Sequence, residues 1–345
     1  MVSRAAARIG PGAIVMLGLL GGCASPVPPS APAPTPPPAR VALKVANLPY
    51  IAFAPFYIGI EEGFFKDQNI DVELVNFATQ PDTVGALVSG QVDVIAGQTS
   101  AGMNNLIARG ADARLVADKG YIDPNACDNI ALMGSRTLAS EGRAVTADML
   151  RGKNINVVTG TWNEYLVDKL LAPVGLKLSD LNNIDVPIPL QPQALDTGQL
   201  SAVMENEPWV TRMAATGNKP ILSQAHEVVP DSQSAVTMFG SKLIGANAEV
   251  GNRFMVAYLQ AVHRYNEGKT DRNLTILAQY TQLDKPLLQQ MCWPALRNDG
   301  SINVDSMLDF QTWAMNKGLQ PTALTREQLW DPSFTQVANQ RLASK

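Results

Sequence analysis

The chain has 345 residues, 46% of them hydrophobic and 17% charged, with a formal net charge of −4. That composition allows an ordinary packed core and excludes a collagen-like or disordered chain. The mildly acidic balance also argues against a nucleic-acid partner, which needs a basic face.

Arg4 and Arg8 precede an apolar run, Ile14 to Leu20, that ends in Gly21-Gly22 before Cys23. A cationic start, a short apolar segment and small residues read as a secretory signal peptide over 1–22. The run falls short of the roughly 20 apolar residues of a membrane span. Leu20-Gly21-Gly22-Cys23 resembles the lipobox of bacterial lipoproteins, and the resemblance implies cleavage before Cys23 and a lipid on its sulfur. Eight prolines between Pro26 and Pro38 follow. Such a segment is extended and semi-rigid, so residues 23–40 read as a tether. The body from Val41 to Lys345 is then expected outside the cytoplasm, on a membrane but not in it. Cys127 and Cys292 are the remaining cysteines. A disulfide and two buried thiols both stay open, with the thiols favoured because pairing geometry is not legible in a sequence. With His226 and His263 the only histidines, no zinc spacing arises.

The body alternates strand and helix patterns. Val41–Val45 reads as a strand, Pro55–Phe65 as a helix closing at Gly63, and Ile70–Val75 as a strand. Thr83–Val88 is a helix ended by Gly90, Val92–Ile95 a strand, Met103–Arg109 a helix ended by Gly110, and Ala113–Ala117 a strand. After Asn129–Met133 the alternation restarts. Strands are expected at Asn156–Val158, Ile184–Val186, Ala202–Met204 and Pro220–Leu222, with helices at Trp162–Leu171 and Trp209–Ala215. Ala86–Val92 matches Ala194–Leu200 as a helix end, glycine cap and strand start, which suggests two related halves. Ala235–Phe239 is a strand returning from the second half. Val250–Tyr265, Asn273–Tyr280 and Ser306–Met315 are helices expected to pack on the first half. The fold class is therefore α/β, with two lobes, a two-strand hinge and a cleft. Residues 41–134 and 236–345 are assigned to lobe 1, and 135–235 to lobe 2.

No phosphate-cradling Gly-x4-Gly-Lys-[Ser/Thr] and no Gly-x-Ser-x-Gly turn is present, and no pair of acids stands out. The chain reads as a binder without catalytic residues, metal or cofactor. Ligands of open α/β sheets collect at the carboxyl ends of strands. Four such loops supply the candidates. Tyr50 and Phe53 follow the first strand. Thr99 and Ser100 follow the third, where a cap and free amides would suit a ligand oxygen. Thr159, Gly160 and Trp162 open a helix, with Thr161 and Glu164 at capping-box spacing. Glu205 and Trp209 flank Pro208.

Phe56-Tyr57-Ile58-Gly59-Ile60-Glu61-Glu62-Gly63-Phe64-Phe65-Lys66, Ile70-Asp71-Val72-Glu73, Gly90-Gln91-Val92-Asp93 and Glu207-Pro208-Trp209 resemble, in order, landmarks of one family. It comprises the substrate-binding proteins of nitrate/sulfonate/taurine and thiamine-precursor ABC importers. The resemblance covers most of Val41 to Leu319. It implies a type II periplasmic-binding fold, a small-molecule ligand, permease and ATPase partners, and a monomer. Members take sulfonates, nitrate, aminopyrimidines or riboflavin. Asn47-Leu48-Pro49-Tyr50 stands where pyrimidine binders carry Trp-x-Pro-Asn-x-x-His, and no arginine falls in the four loops. Tyr50, Phe53, Trp162 and Trp209 offer aromatic faces to a flat ring. The expected ligand is thus a heterocyclic vitamin, riboflavin first and thiamine pyrimidine second, with a sulfonate, taurine or nitrate as the alternative. A thiamine-pyrimidine synthase-like enzyme and a tethered sensor are further readings.

Overall fold

A computed structural model describes residues 40–48, 50–138, 146–222 and 225–344. The expected signal peptide, Cys23 and the proline run lie outside the described residues.

Strand β1 (Val41–Asn47) buries Leu43 and Val45. Helix α1 (Ala54–Glu61) carries Pro55 in its first turn, where a missing N–H is harmless. Gly63, at φ 78°, ends it in the left-handed conformation. There follow α2 (Phe64–Asp67), β2 (Ile70–Asn76), α3 (Gln80–Val88), β3 (Val94–Gln98), α4 (Ala101–Ala108) and β4 (Ala113–Tyr121).

The second run comprises β5 (Ile130–Gly134), β6 (Asn154–Asn156), α5 (Trp162–Leu171), β7 (Asn182–Asn183), α6 (Gln191–Thr197) and β8 (Ala202–Asn206). It ends with α7 (Trp209–Ala215), β9 (Lys219–Leu222) and α8 (Ala225–Val228). After β10 (Gln233–Gly240) the chain is helical: α9 (Ala248–Asn266), α10 (Asp271–Thr281), α11 (Lys285–Gln290), α12 (Val304–Asn316), α13 (Arg326–Leu329) and α14 (Ser333–Ala343).

The described strands form two five-stranded sheets, ordered β2-β1-β3-β10-β4 and β7-β6-β8-β5-β9. Both are mixed. β1 runs parallel to β2 and β3, whereas β10 inserts antiparallel between β3 and β4. β6 runs parallel to β7 and β8, and β5 lies antiparallel to β8 and β9. Residues 130–134, which the sequence reading gives to lobe 1, thus pair in the second sheet. The first crossing between sheets comes before them, at 122–129.

Helices α1 and α9 share one core. Phe56 meets Tyr258 with ring centroids 5.2 Å apart, and Phe65 meets Phe254 at 4.9 Å. A Cβ at Gly59 would lie 2.6 Å from the Phe65 ring and 3.3 Å from Ala261, so glycine permits this approach. Helix α12 departs from expectation. Its Val304 and Met307 join the first-sheet core, but Phe310 and Ala314 join the second-sheet core with Trp162 and Tyr165. The helix spans both halves because its aromatic face fits Tyr165, whose hydroxyl donates to Asp309. Lys317 just beyond it pairs with Glu164 at 2.8 Å and Asp168 at 2.7 Å.

Cys127 and Cys292 form a disulfide across 165 residues, their Cα atoms 5.8 Å apart. This corrects the free-thiol reading. The 122–129 crossing runs beside the 291–295 segment, where the Tyr121 N–H donates to the Ala295 carbonyl at 3.3 Å. That juxtaposition of distant segments has no trace in local sequence. Among the described residues, no helix is long and apolar enough to cross a membrane.

Candidate functional site

The carboxyl ends of β1 to β4 converge with the start of β10. Facing them are the start of β5, the ends of β6 and β8, and the loop before α6. Together these loops enclose a cavity of about 610 Å³. Leu48, Tyr50, Ile51, Phe53, Gln80, Gln98, Lys119 and Ser234 line it from the first sheet. Asn129, Asn156, Thr161, Asn163, Asp185 to Pro189, Gln191, Glu205 to Glu207 and Trp209 line it from the second. Gln80 braces the first wall. Its Nε2 donates to the Gln98 carbonyl at 2.6 Å, and its Oε1 accepts from the Gln98 N–H at 2.8 Å.

Two charges dominate the walls. Lys119, on β4, is 3% exposed, with its ammonium 4.0 Å from the Phe53 ring centre. It is the one basic side chain among the lining residues. Burial pushes the ammonium down to about 7, against the opposing pull of Asp118. Glu205, ending β8, is also 3% exposed. Burial pushes its carboxyl up to about 7, although the Gln191 side chain and the Asn206 N–H lower it. The Tyr50 phenol is held well above its ordinary value by burial, with Glu205 adding to the effect. Glu207 is raised by burial too, but its carboxylate is engaged, accepting from the Thr211 N–H at 3.0 Å and hydroxyl at 2.7 Å.

Of the predicted residues, Tyr50, Phe53, Glu205 and Trp209 reach the cavity wall. Thr99, Ser100, Gly160 and Trp162 do not line it, because their two loops bond to each other. The Ala101 N–H donates to the Gly160 carbonyl at 2.8 Å, and the Trp162 N–H donates to the Thr99 carbonyl at 2.8 Å. The amides expected to serve a ligand thereby join the two sheets. The Thr99 hydroxyl donates to the Gln233 carbonyl at 2.9 Å, and Ser100 caps α4 by accepting from the Met103 N–H. Trp162 is 1% exposed and donates from Nε1 to Ser232 Oγ at 2.9 Å. Thr159 is exposed and off the wall. The Thr161–Glu164 capping box does not form. Glu164 instead accepts from the Gly160 N–H at 2.7 Å, and Thr161 donates to the Val158 carbonyl at 2.6 Å.

Sequence reading missed Lys119, Asn163, Gln191 and the Asp185–Pro189 turn. Lys119 was within reach of the strand-end rule, but β4 runs four residues past the expected end at Ala117. The strand expected at Ile184–Val186 instead ends at Asn183, so Asp185–Pro189 lies in the loop past a strand end, where the same rule pointed. Nothing in the local sequence marks Gln191. Among the described residues, no cluster of three or more His, Cys, Asp or Glu side chains could hold a metal ion.

A Brucella abortus protein named only as a binding protein is 24% identical over 243 residues, 67% of this chain and 69% of its own. The periplasmic nitrate-binding protein NrtA of Synechocystis PCC 6803 superposes with a TM-score of 0.73 at 15% identity, covering 89% of this chain and 90% of that one. The alkanesulfonate-binding protein SsuA of Xanthomonas axonopodis pv. citri, bound to MOPS, gives 0.70 at 16% identity, covering 86% and 100%. The desulfurization enzyme DSZB gives 0.64 at 15% identity, covering 88% and 100%. At these identities the likeness to the solved structures is one of fold, and the fold is the expected periplasmic-binding type. The model of the NMT1-like family matches residues 36–280, well over half of the sequence, and the chain belongs to that family.

Proposed function

We propose that this protein is the solute-binding component of an ABC importer. It holds a small heterocyclic vitamin or precursor between its two sheets, riboflavin first and thiamine pyrimidine second. The observation that carries the reading is the cavity. Its volume of about 610 Å³ falls within the roughly 300–1,000 Å³ of sites for drug-sized ligands. Tyr50, Phe53, Trp209, Ile188 and the four prolines of its lining suit a flat ring better than a small inorganic anion. Three lining carboxylates, Asp185, Glu205 and Glu207, against the single cation Lys119 also disfavour an anion. Delivery to a permease and its ATPase, action as a monomer outside the cytoplasm, and anchorage through a lipid on Cys23 belong to the same proposal. So does action as a binder without catalytic residues. Sulfonate, taurine or nitrate capture is the second reading. It is favoured by Lys119 and by the names of the two binding proteins that share the fold.

Titrating ligand-free protein into riboflavin while following flavin fluorescence tests the first reading. Quenching at micromolar protein is expected. Unchanged flavin emission, with a thermal shift on adding taurine or nitrate, would transfer the assignment to the second.

A further inference from the structure

Lys119 and Glu205 are each nine-tenths buried or more, and both line the same cavity from different sheets. Neither is neutralised by a protein partner. Among the described residues no carboxylate pairs with Lys119, whose recorded contact is the Phe53 ring. Glu205 accepts a 3.3 Å bond from the adjacent Asn206 N–H and is also approached by the uncharged Gln191 side chain, and among the described residues it pairs with no cation. The neighbouring acids are already engaged. Asp118 accepts from the Gly120 N–H at 2.8 Å, the Arg297 N–H at 2.7 Å and Gln233 Nε2 at 2.6 Å. Glu207 is held by Thr211. What stays unsatisfied is therefore a donor charge on one wall and an acceptor charge on the other. The second wall has a further surplus of acceptors. Gln191 Oε1 and Asn163 Oδ1, on side chains 1% and 5% exposed, and Asn206 Oδ1 have no donor, against one unpartnered donor on that wall, Trp209 Nε1.

A buried charge with no partner is costly, and an occupant that supplies the partner removes the cost. A one-ended anion would satisfy Lys119 and leave Glu205 buried, unpaired and repulsive. We propose that the cavity takes a two-ended solute. An acceptor-rich group (carbonyl, carboxylate or sulfonate) meets Lys119, an N–H or ammonium donor meets Glu205, and a flat or apolar body spans the space between. The assignment rests on the solute-binding reading and names the polarity of its ligand. An imide-bearing heterocycle and an aminosulfonate both have this chemistry.

The test uses the full chain, stripped of bound solute by unfolding and refolding, in calorimetric titrations. Riboflavin and taurine are the two-ended probes, ethanesulfonate and ethylamine the one-ended ones. At least one two-ended probe should bind, and each one-ended probe should bind tenfold or more weakly by comparison. Riboflavin or taurine as the binder distinguishes the two sources. Lys119→Met should abolish binding of the two-ended probe. Glu205→Gln should weaken it tenfold or more and bring ethanesulfonate close to taurine by removing the repulsion. Cooperative unfolding at or above the wild-type temperature in both variants establishes that they fold. Wild-type affinity for a one-ended probe equal to that for the two-ended probe that binds overturns the proposal, as does wild-type affinity in both variants. If no probe binds but native purification carries a one-ended solute, identified by mass spectrometry, the two-ended assignment fails and solute binding stands. If no probe binds and no solute is carried, both fail.

Discussion

Replacing Glu205 by Gln in the ligand-free protein should change stability in a pH-dependent way whose sign follows from burial. The carboxyl is raised from 4.5 to about 7. Below pH 4.5 it is protonated in folded and unfolded chains alike, so it contributes no difference. As pH rises, the unfolded chain ionises first while the folded chain keeps its proton. Above pH 7 the folded chain must hold a buried carboxylate. A rise from 4.5 to about 7, at about 1.36 kcal/mol per pH unit, amounts to roughly 3 kcal/mol of stability lost between those limits. Glutamine keeps the shape and cannot ionise. The Gln variant should therefore gain on the wild type by about 3 kcal/mol between pH 4.5 and 8, roughly 5 °C in unfolding temperature for a chain of this size. Lys119 and Asp118 titrate in neighbouring windows, down to about 7 and up to about 6. Their effects are common to both proteins and cancel in the difference. Thermal unfolding at several pH values measures it. A variant-minus-wild-type difference that stays flat with pH would show that Glu205 is not an isolated buried acid, and the two-ended ligand would lose its second anchor.

Trp162→Ala should destabilise the protein by about 3–5 kcal/mol, because it removes a fully buried ring packed on Tyr165 and frees Ser232 from its indole donor. Denaturant unfolding checks this, and a loss below about 1 kcal/mol would return Trp162 to the ligand-facing role the sequence suggested. Digestion without reductant should yield a peptide joining Cys127 to Cys292, and Cys292→Ser should lower stability by about 2–4 kcal/mol, since the bond closes a loop spanning 165 residues. Alkylation of both thiols in oxidised protein would contradict the pairing.

Much of the secondary structure is legible in the chain itself. Trp162–Leu171 and Trp209–Ala215 occur with the expected limits, and Gly63 and Gly198 take the left-handed conformation where helices were expected to stop. Helices bond within a few residues, so their periodicity and stop signals lie in contiguous sequence. The rule that ligands gather at strand ends also drew Tyr50, Phe53, Glu205 and Trp209 to the cavity wall. Other features were decided only by the tertiary structure. Residues 99–101 and 160–162 look like two ligand loops when read separately, but they occupy each other's amides when the sheets meet. Insertion of β10 between β3 and β4 joins strands more than 100 residues apart. Lys119 and Glu205 become opposite walls of one cavity only once two sheets have formed and closed. Sheet order and interlobe contact depend on which distant surfaces fit together, and no local pattern encodes that fit.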